Sequence, residues 1–296
     1  MLPDGLSAFP ITPSDAKGTV DTDALQALIA RLCKADVDSI GLLGSTGTYA
    51  YLSQQERRRA VEAAVQTADG RKPILVGIGA LRTDAAVLLA KDAKAAGATA
   101  GLLAAVSYTA LTQDEVFEHF RVVAEESGLP LCIYDNPGTT HFTFSPELIG
   151  RLSRLSGIVA VKSPTSSAAA TLDHLKKLRT LVPTDFSLGY SGDWNATEAM
   201  IAGANSWYSV LAGLFPQSCA EIVRAVQRGD ADEARHLNAR LEPVWDLFKA
   251  HSSLRVVYAC ANLLGITKKI PPRPIQPLDP AEQRHVADVL TRLKLQ

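Results

Sequence analysis

Eight short apolar runs, each followed by a longer polar-apolar stretch, constrain the fold of this chain more than any other feature of it. The runs are Leu6 to Ile11, Ser39 to Leu43, Ile74 to Ile78, Ala100 to Ala105, Leu131 to Tyr134, Ile158 to Val161, Phe186 to Gly189 and Trp207 to Leu211. Runs of this length bounded by Gly, Pro or polar residues suit parallel strands, which are buried on both faces. Between them, Thr22 to Lys34, Ser53 to Thr67, Thr83 to Ala96, Thr112 to Ser127, Ser145 to Leu155 and Ser167 to Leu181 carry the helical period. Ser53 with Glu56, and Thr112 with Glu115, have the spacing of a capping box, in which each residue satisfies the other's free backbone N–H at a helix start. Strand and helix repeated eight times predict an α/β fold, a closed (β/α)8 TIM barrel with its chemistry at the carboxyl ends of the strands. An open doubly wound sheet is the alternative, and no GxGxxG opening a helix supports it.

Past the eighth run the chain has more helix than one barrel unit needs: Ser218 to Arg228, Asp230 to Ala250, Leu254 to Leu264 and Pro280 to Leu293. Pro271, Pro272, Pro274 and Pro277 make a stiff connector before the last of these. The expected organisation is a barrel over 1–225 and a C-terminal helical extension over 226–296. With 30 Lys and Arg against 31 Asp and Glu, the chain has no basic excess to neutralise phosphates, so nucleic acid is not an expected partner. Cys33, Cys132, Cys219 and Cys260 are far apart and mostly in apolar segments, which reads as small buried hydrophobes in a reducing cytoplasm. The opening MLPDGLSAFP has neither the basic nor the apolar region of a signal peptide. Two uncharged runs, Ala95 to Gln113 and Ala199 to Ala220, are broken by Gly97, Gly101, Gly203, Asn205 and Pro216, so no membrane span is expected.

Three windows carry chemistry. In IVAVKSP, Lys162 ends an apolar strand, where burial disfavours the ammonium and a neutral amine can attack a ketone. The plainer alternative is a strand-end lysine reaching out to water. In LCIYDNPGT, Tyr134 closes the preceding strand, where a phenol beside an amine can pass protons; otherwise it is a core tyrosine with a backbone partner. In LLGSTGTY, Ser45 and Thr46 with Gly47 offer hydroxyls and N–H groups to a carboxylate, although such residues also fill ordinary loops. In a barrel the three windows converge on one mouth.

Together with FPITP near the start and SGD at 191 to 193, these windows resemble the dihydrodipicolinate synthase and N-acetylneuraminate lyase superfamily of pyruvate-dependent class I aldolases, over nearly the whole chain. The resemblance implies that Lys162 forms the Schiff base, Tyr134 relays protons, and Ser45, Thr46 and Gly47 cradle the pyruvate carboxylate. It implies also that Tyr108 is inserted by a neighbouring subunit to complete a relay with Thr46 and Tyr134, in a homodimer or homotetramer. Gly189, Ser191, Tyr208 and Thr139 fall where the family contacts its second substrate.

The chain departs from the family pattern at several of these places. Thr139 stands where dihydrodipicolinate-forming members carry an arginine that holds a carboxylate, a fork that a hydroxyl does not replace. The acidic pair of sialic acid lyases is broken in Gly189-Tyr190-Ser191-Gly192-Asp193. Thr48 replaces a frequent glutamate, and Trp207 with Tyr208 replace smaller residues; these two either re-shape the site for the second substrate, Tyr208 the nearer to the pocket, or simply pack between barrel and helices. Lysine-regulated relatives bind lysine near stretches matching 49–55 and 79–85, where this chain has Leu81 for an asparagine and Ala85 for a glutamate. The expected activity is carbon-carbon bond cleavage or formation on pyruvate or a 2-oxo-3-deoxy sugar acid. Dihydrodipicolinate synthesis and deoxy-oxo-acid dehydration are the alternatives, and a non-catalytic barrel that binds a 2-oxo acid is the rival from another class. None of these needs a metal or a cofactor, and the six histidines include no spaced pair resembling a metal site.

Overall fold

The computed structural model describes residues 2–295, so the first and last residues of the ranges expected above lie outside it. Among the described residues, eight parallel strands close into a barrel in chain order: β1 (Gly5–Ala8), β2 (Ser39–Leu42), β3 (Ile74–Gly77), β4 (Ala100–Ala104), β5 (Leu131–Tyr134), β6 (Ile158–Pro164), β7 (Ser187–Ser191) and β8 (Ser206–Ser209). β8 returns onto β1, with Gly5 opposite Ser206 and Ala8 opposite Ser209. The surrounding helices are α1 (Thr22–Lys34), α2 (Gln54–Ala68), α3 (Thr83–Ala95), α4 (Gln113–Ser127), a short α5 (Pro137–Thr140), α6 (Pro146–Leu152), α7 (Ala168–Leu181), α8 (Asp193–Ile201) and α9 (Pro216–Gln227). Beyond them come α10 (Ala231–Arg240), α11 (Glu242–His251), α12 (Ser253–Leu263) and α13 (Pro280–Leu293).

Local chemistry accounts for where these elements start and stop. α1 opens on Asp21, whose carboxylate accepts from Ala24 N, and it buries Leu25, Leu28, Ile29 and Leu32, one stripe at helical spacing. Each such side chain contributes roughly 1.5–3 kcal/mol on leaving water. Thr112 and Glu115 form the expected capping box. At Ser53 only half of it forms, because Glu56 turns its carboxylate to Val20 N (2.7 Å) and to Arg59. β1 stops short of Ile11: Phe9 N still donates to Ser209 O, and Pro10 has no N–H to continue the ladder. β8 ends at Ser209, two residues early, because the Asp193 carboxylate takes the N–H groups of Val210 (3.3 Å) and Leu211 (2.8 Å). The stretch expected as one helix from Asp230 to Ala250 breaks at Leu241, since Pro243 fits the first turn of α11 and no helix interior. α8 has no counterpart in the sequence reading; it is buried on several sides and shows no single apolar stripe.

The core lies in two layers. One fills the space between barrel and helices; the other fills the barrel itself with Phe9, Leu75, Leu102, Cys132, Tyr134 and Tyr208. Two glycines make room for the interior aromatics. A Cβ on Gly41 would fall 2.2 Å from the Phe9 ring, and one on Gly189 would fall 2.3 Å from the Tyr208 ring. Among the described residues no helix is long and apolar enough to cross a membrane. The uncharged runs are instead β4 with its loops, and α8 through β8 into α9.

Candidate active site

A cavity of about 510 Å³ opens at the carboxyl ends of the strands, bounded on one side by Phe248, Ser252, Ser253, Leu254 and Ile275 from the C-terminal helices and connector. Lys162 lies on its floor, 3 % exposed. It stands directly across the ladder from Tyr134 on β5 and from Gly189 on β7. Its Nζ is 3.7 Å from the centre of the Phe9 ring and 4.5 Å from that of Tyr134. Burial lowers its pKa from 10.5 to about 7, against the opposing pull of its neighbours, Asp193 among them. At neutral pH a large share of this amine therefore carries a lone pair.

Tyr134 is buried as well, and loss of water raises its phenol to about 12, while hydrogen bonds from Ser45 and Asn136 hold it down. Its Oη lies 3.1 Å from Ser45 Oγ, and Asn136 Nδ2 donates to it at 2.9 Å. Ser45 and Thr46 sit on a loop bracketed by Leu43 (φ 56) and Thr48 (φ 53), two non-glycine residues in the left-handed region. Such conformations cost about 1–3 kcal/mol each and persist where the surroundings enforce them. Asp193 lies opposite, fully buried, with its carboxylate accepting from Trp207 Nε1 (3.0 Å), Ser209 Oγ (3.3 Å) and two backbone amides. Even so, burial keeps its pKa above the usual carboxylate range.

Of the residues singled out in the sequence, Lys162, Tyr134, Ser45, Thr46, Thr139 and Ser191 line the cavity. Three do not. Tyr208 packs beneath Lys162, edge-on to Phe9, with its hydroxyl 3.7 Å from Cys132 Sγ; it approaches the amine from below and leaves the substrate space alone. Gly189 supplies the gap that Tyr208 fills, and Gly47 packs on the Leu43 backbone. Thr139 lines the wall, yet its hydroxyl donates to Asn136 O (3.2 Å). Trp207 points away from the cavity and is held by Asp193. Tyr108 is 98 % exposed and lies outside the cavity of its own chain. Sequence reasoning passed over Asn136, which reads as an ordinary turn residue before Pro137, and Asp193 as the anchor of β8. Among the described residues no group of three His, Cys, Asp or Glu side chains is placed to hold a metal.

The cavity thus offers one buried amine, one buried phenol and the buried Asp193 carboxylate, with hydroxyls and an amide along its walls. Among the described residues no arginine lines it. Comparison with known proteins agrees with the geometry. The family model described as the dihydrodipicolinate synthetase family matches residues 2–293. The 4-hydroxy-tetrahydrodipicolinate synthase of Alcanivorax borkumensis is 32 % identical over 286 residues, covering 96 % of each chain. That of Pseudomonas aeruginosa is 36 % identical over 235 residues, 79 % of each. Among solved structures, dihydrodipicolinate synthase from Agrobacterium tumefaciens superposes with a TM-score of 0.96 at 54 % identity over 98 % of each chain. The enzyme from Aquifex aeolicus superposes with a TM-score of 0.93 at 29 % identity over 99 % of this chain and 98 % of its own.

Proposed function

The chain belongs to the dihydrodipicolinate synthetase family and is a pyruvate-dependent lyase of the aldolase type; from that premise we propose that Lys162 carries the imine and that the substrate is a 2-oxo-3-deoxy sugar acid or a similar hydroxylated 2-oxo acid. The observation that carries the assignment of the lysine is its burial on the cavity floor against Phe9 and Tyr134, which depresses its pKa to about 7. The neutral amine adds to the 2-oxo carbon. Tyr134 gives its proton to the resulting hydroxyl, which leaves as water, and an iminium and a phenolate remain. In cleavage the phenolate takes the proton of the C4 hydroxyl, the C3–C4 bond breaks, and its electrons pass into the iminium. The products are an aldehyde and an enamine, which is protonated at C3 and hydrolysed to pyruvate. In this reading the backbone N–H groups of Ser45 and Thr46 hold the carboxylate, which leaves the Ser45 hydroxyl to Tyr134.

The walls support the choice of substrate. Beyond Lys162 they present Ser252 and Ser253 and the hydroxyls of Thr139, Thr165 and Ser191, which donate to backbone carbonyls and still accept from a neutral polyhydroxylated chain; among the described residues they present no guanidinium for a second carboxylate. Dihydrodipicolinate synthesis is the second reading, favoured by the names of the relatives. The experiment is a panel of 2-oxo-3-deoxy acids assayed for pyruvate release, beside condensation of pyruvate with aspartate semialdehyde. Turnover in the second assay alone overturns the sugar-acid reading.

Assembly into a homodimer or homotetramer belongs to the same proposal. Tyr108, Tyr51 and Leu81 expose apolar surface on the loops after β4, β2 and β3, where a second copy would bring its Tyr108 toward Thr46. Sedimentation of the wild type and of Tyr108→Glu checks it: a wild-type monomer with full activity ends the idea. The four free cysteines support a reducing, cytoplasmic setting.

A further inference from the structure

We infer that Asn136 is a positioning residue for the Tyr134 proton, donating its side-chain amide to the Tyr134 and Ser45 oxygens at once; this rests on the reading of Tyr134 as the proton relay. The amide nitrogen lies 2.9 Å from Tyr134 Oη and 3.2 Å from Ser45 Oγ, and the two oxygens lie 3.1 Å apart. The three atoms form a closed triangle at the cavity wall.

Counting hydrogens shows what the triangle does. A primary amide has two N–H donors, and each hydroxyl has one hydrogen and two lone pairs. With one amide hydrogen on each oxygen, a single hydroxyl hydrogen completes the third edge. The remaining hydroxyl hydrogen has no acceptor within the cluster and turns toward the cavity. The cluster therefore holds one proton aimed at the substrate. When Tyr134 passes a proton to the carbinolamine hydroxyl, the phenolate left behind keeps donors from both Asn136 and Ser45. Burial works against that phenolate, and these two bonds are what oppose it.

The turn that carries Asn136 is built to aim it. Its carbonyl accepts from the backbone N–H groups of Thr139 and Thr140, each at 3.0 Å, and from their hydroxyls at 3.2 and 3.1 Å. Pro137 follows and fixes the entry into α5. Thr139 in this arrangement steadies the amide, which is a use for the position that calls for no arginine.

The test is exchange of the methyl hydrogens of pyruvate with D2O, followed by NMR, which needs the imine and the proton relay and no second substrate. Asn136→Leu is expected to slow exchange roughly 10- to 100-fold, with the pyruvate concentration at half-saturation nearly unchanged. In a Tyr134→Phe background the same substitution is expected to cost little more, because it acts through the phenol. Asn136→Gln, which keeps both donors, should recover part of the rate, and Asn136→Asp, which replaces them by acceptors, should not. This pair carries the test should the leucine variant fail to fold. Equal losses in both backgrounds, or an aspartate variant as fast as wild type, overturn the role of Asn136. Near-normal exchange by Tyr134→Phe overturns the relay itself, a separate failure.

Discussion

Lys162 and Tyr134 face each other directly across the β5–β6 ladder, which sets the amine 4.5 Å from the centre of the phenol ring. A register shift of one residue would turn one of them out of the barrel. The proposed chemistry is thus fixed by strand pairing.

Borohydride added with pyruvate is expected to inactivate the enzyme and leave one stable adduct, because an imine is reducible and an exposed ammonium forms little of it. Intact mass and peptide mapping should find the adduct on Lys162. An equal adduct on Lys162→Ala would remove the lysine from the mechanism.

The rate of that labelling should depend on pH through the amine. Its pKa is lowered to about 7, so the neutral fraction, and with it imine formation, rises through pH 7 and then levels off. A rate still climbing tenfold per unit between pH 8 and 10 would mean an ordinary lysine.

The same shift makes Lys162 a cost to the fold. Between pH 7 and 10.5 the unfolded chain binds more protons at this residue than the folded one, so the penalty is full below about 7 and fades toward 10.5. Lys162→Met should abolish activity and raise stability at pH 7 by roughly 2–4 kcal/mol, the gain vanishing at high pH. Thermal melts of both proteins at pH 6.5 and 10 decide it: a Met variant that melts below the wild type at pH 6.5 contradicts the burial argument.

Tyr134→Phe should fold, losing hydrogen bonds with Ser45 and Asn136 at a cost of about 1 kcal/mol. Turnover should fall about 10² to 10⁴-fold. Activity within a few-fold of wild type would return Tyr134 to the core.

Lysine is expected not to inhibit. The stretches that bind it in regulated relatives meet here through Arg57, which is buried, donates to Gly77 O (2.9 Å) and Gly79 O (3.1 Å), and packs on the Tyr49 ring. An incoming ammonium would face that guanidinium, with Ala85 where its carboxylate partner is expected. Saturable inhibition at millimolar lysine would refute this and strengthen the dihydrodipicolinate reading.

The barrel was legible because alternation of apolar runs and helical stretches survives any local irregularity, and the position of Lys162 because a barrel brings its window to the same mouth as those of Tyr134 and Ser45. The strand ends were less so. Asp193 cuts β8 short by binding two amides from across a turn, a long-range contact that no window of sequence contains. Tyr208 lies nearer Lys162 than Trp207 does, as expected, but its depth was not legible: strand alternation turns it into the barrel, and how far below Lys162 it sits is set by Phe9 and the gap at Gly189. Asn136 escaped notice because its partners lie on its own turn and on β2's loop, and only the closed barrel brings Ser45 to it.

The rings that surround Lys162 come from three distant parts of the chain: Phe9 follows β1, Tyr134 ends β5 and Tyr208 lies on β8. In the unfolded chain Lys162 is an ammonium like any other, with a pKa of about 10.4. Its reactivity toward pyruvate is therefore acquired only when the first and last strands meet, and it can serve as a clock for that event. In a refolding time course, reductive labelling of Lys162 should lag behind the recovery of helical signal and coincide with barrel closure.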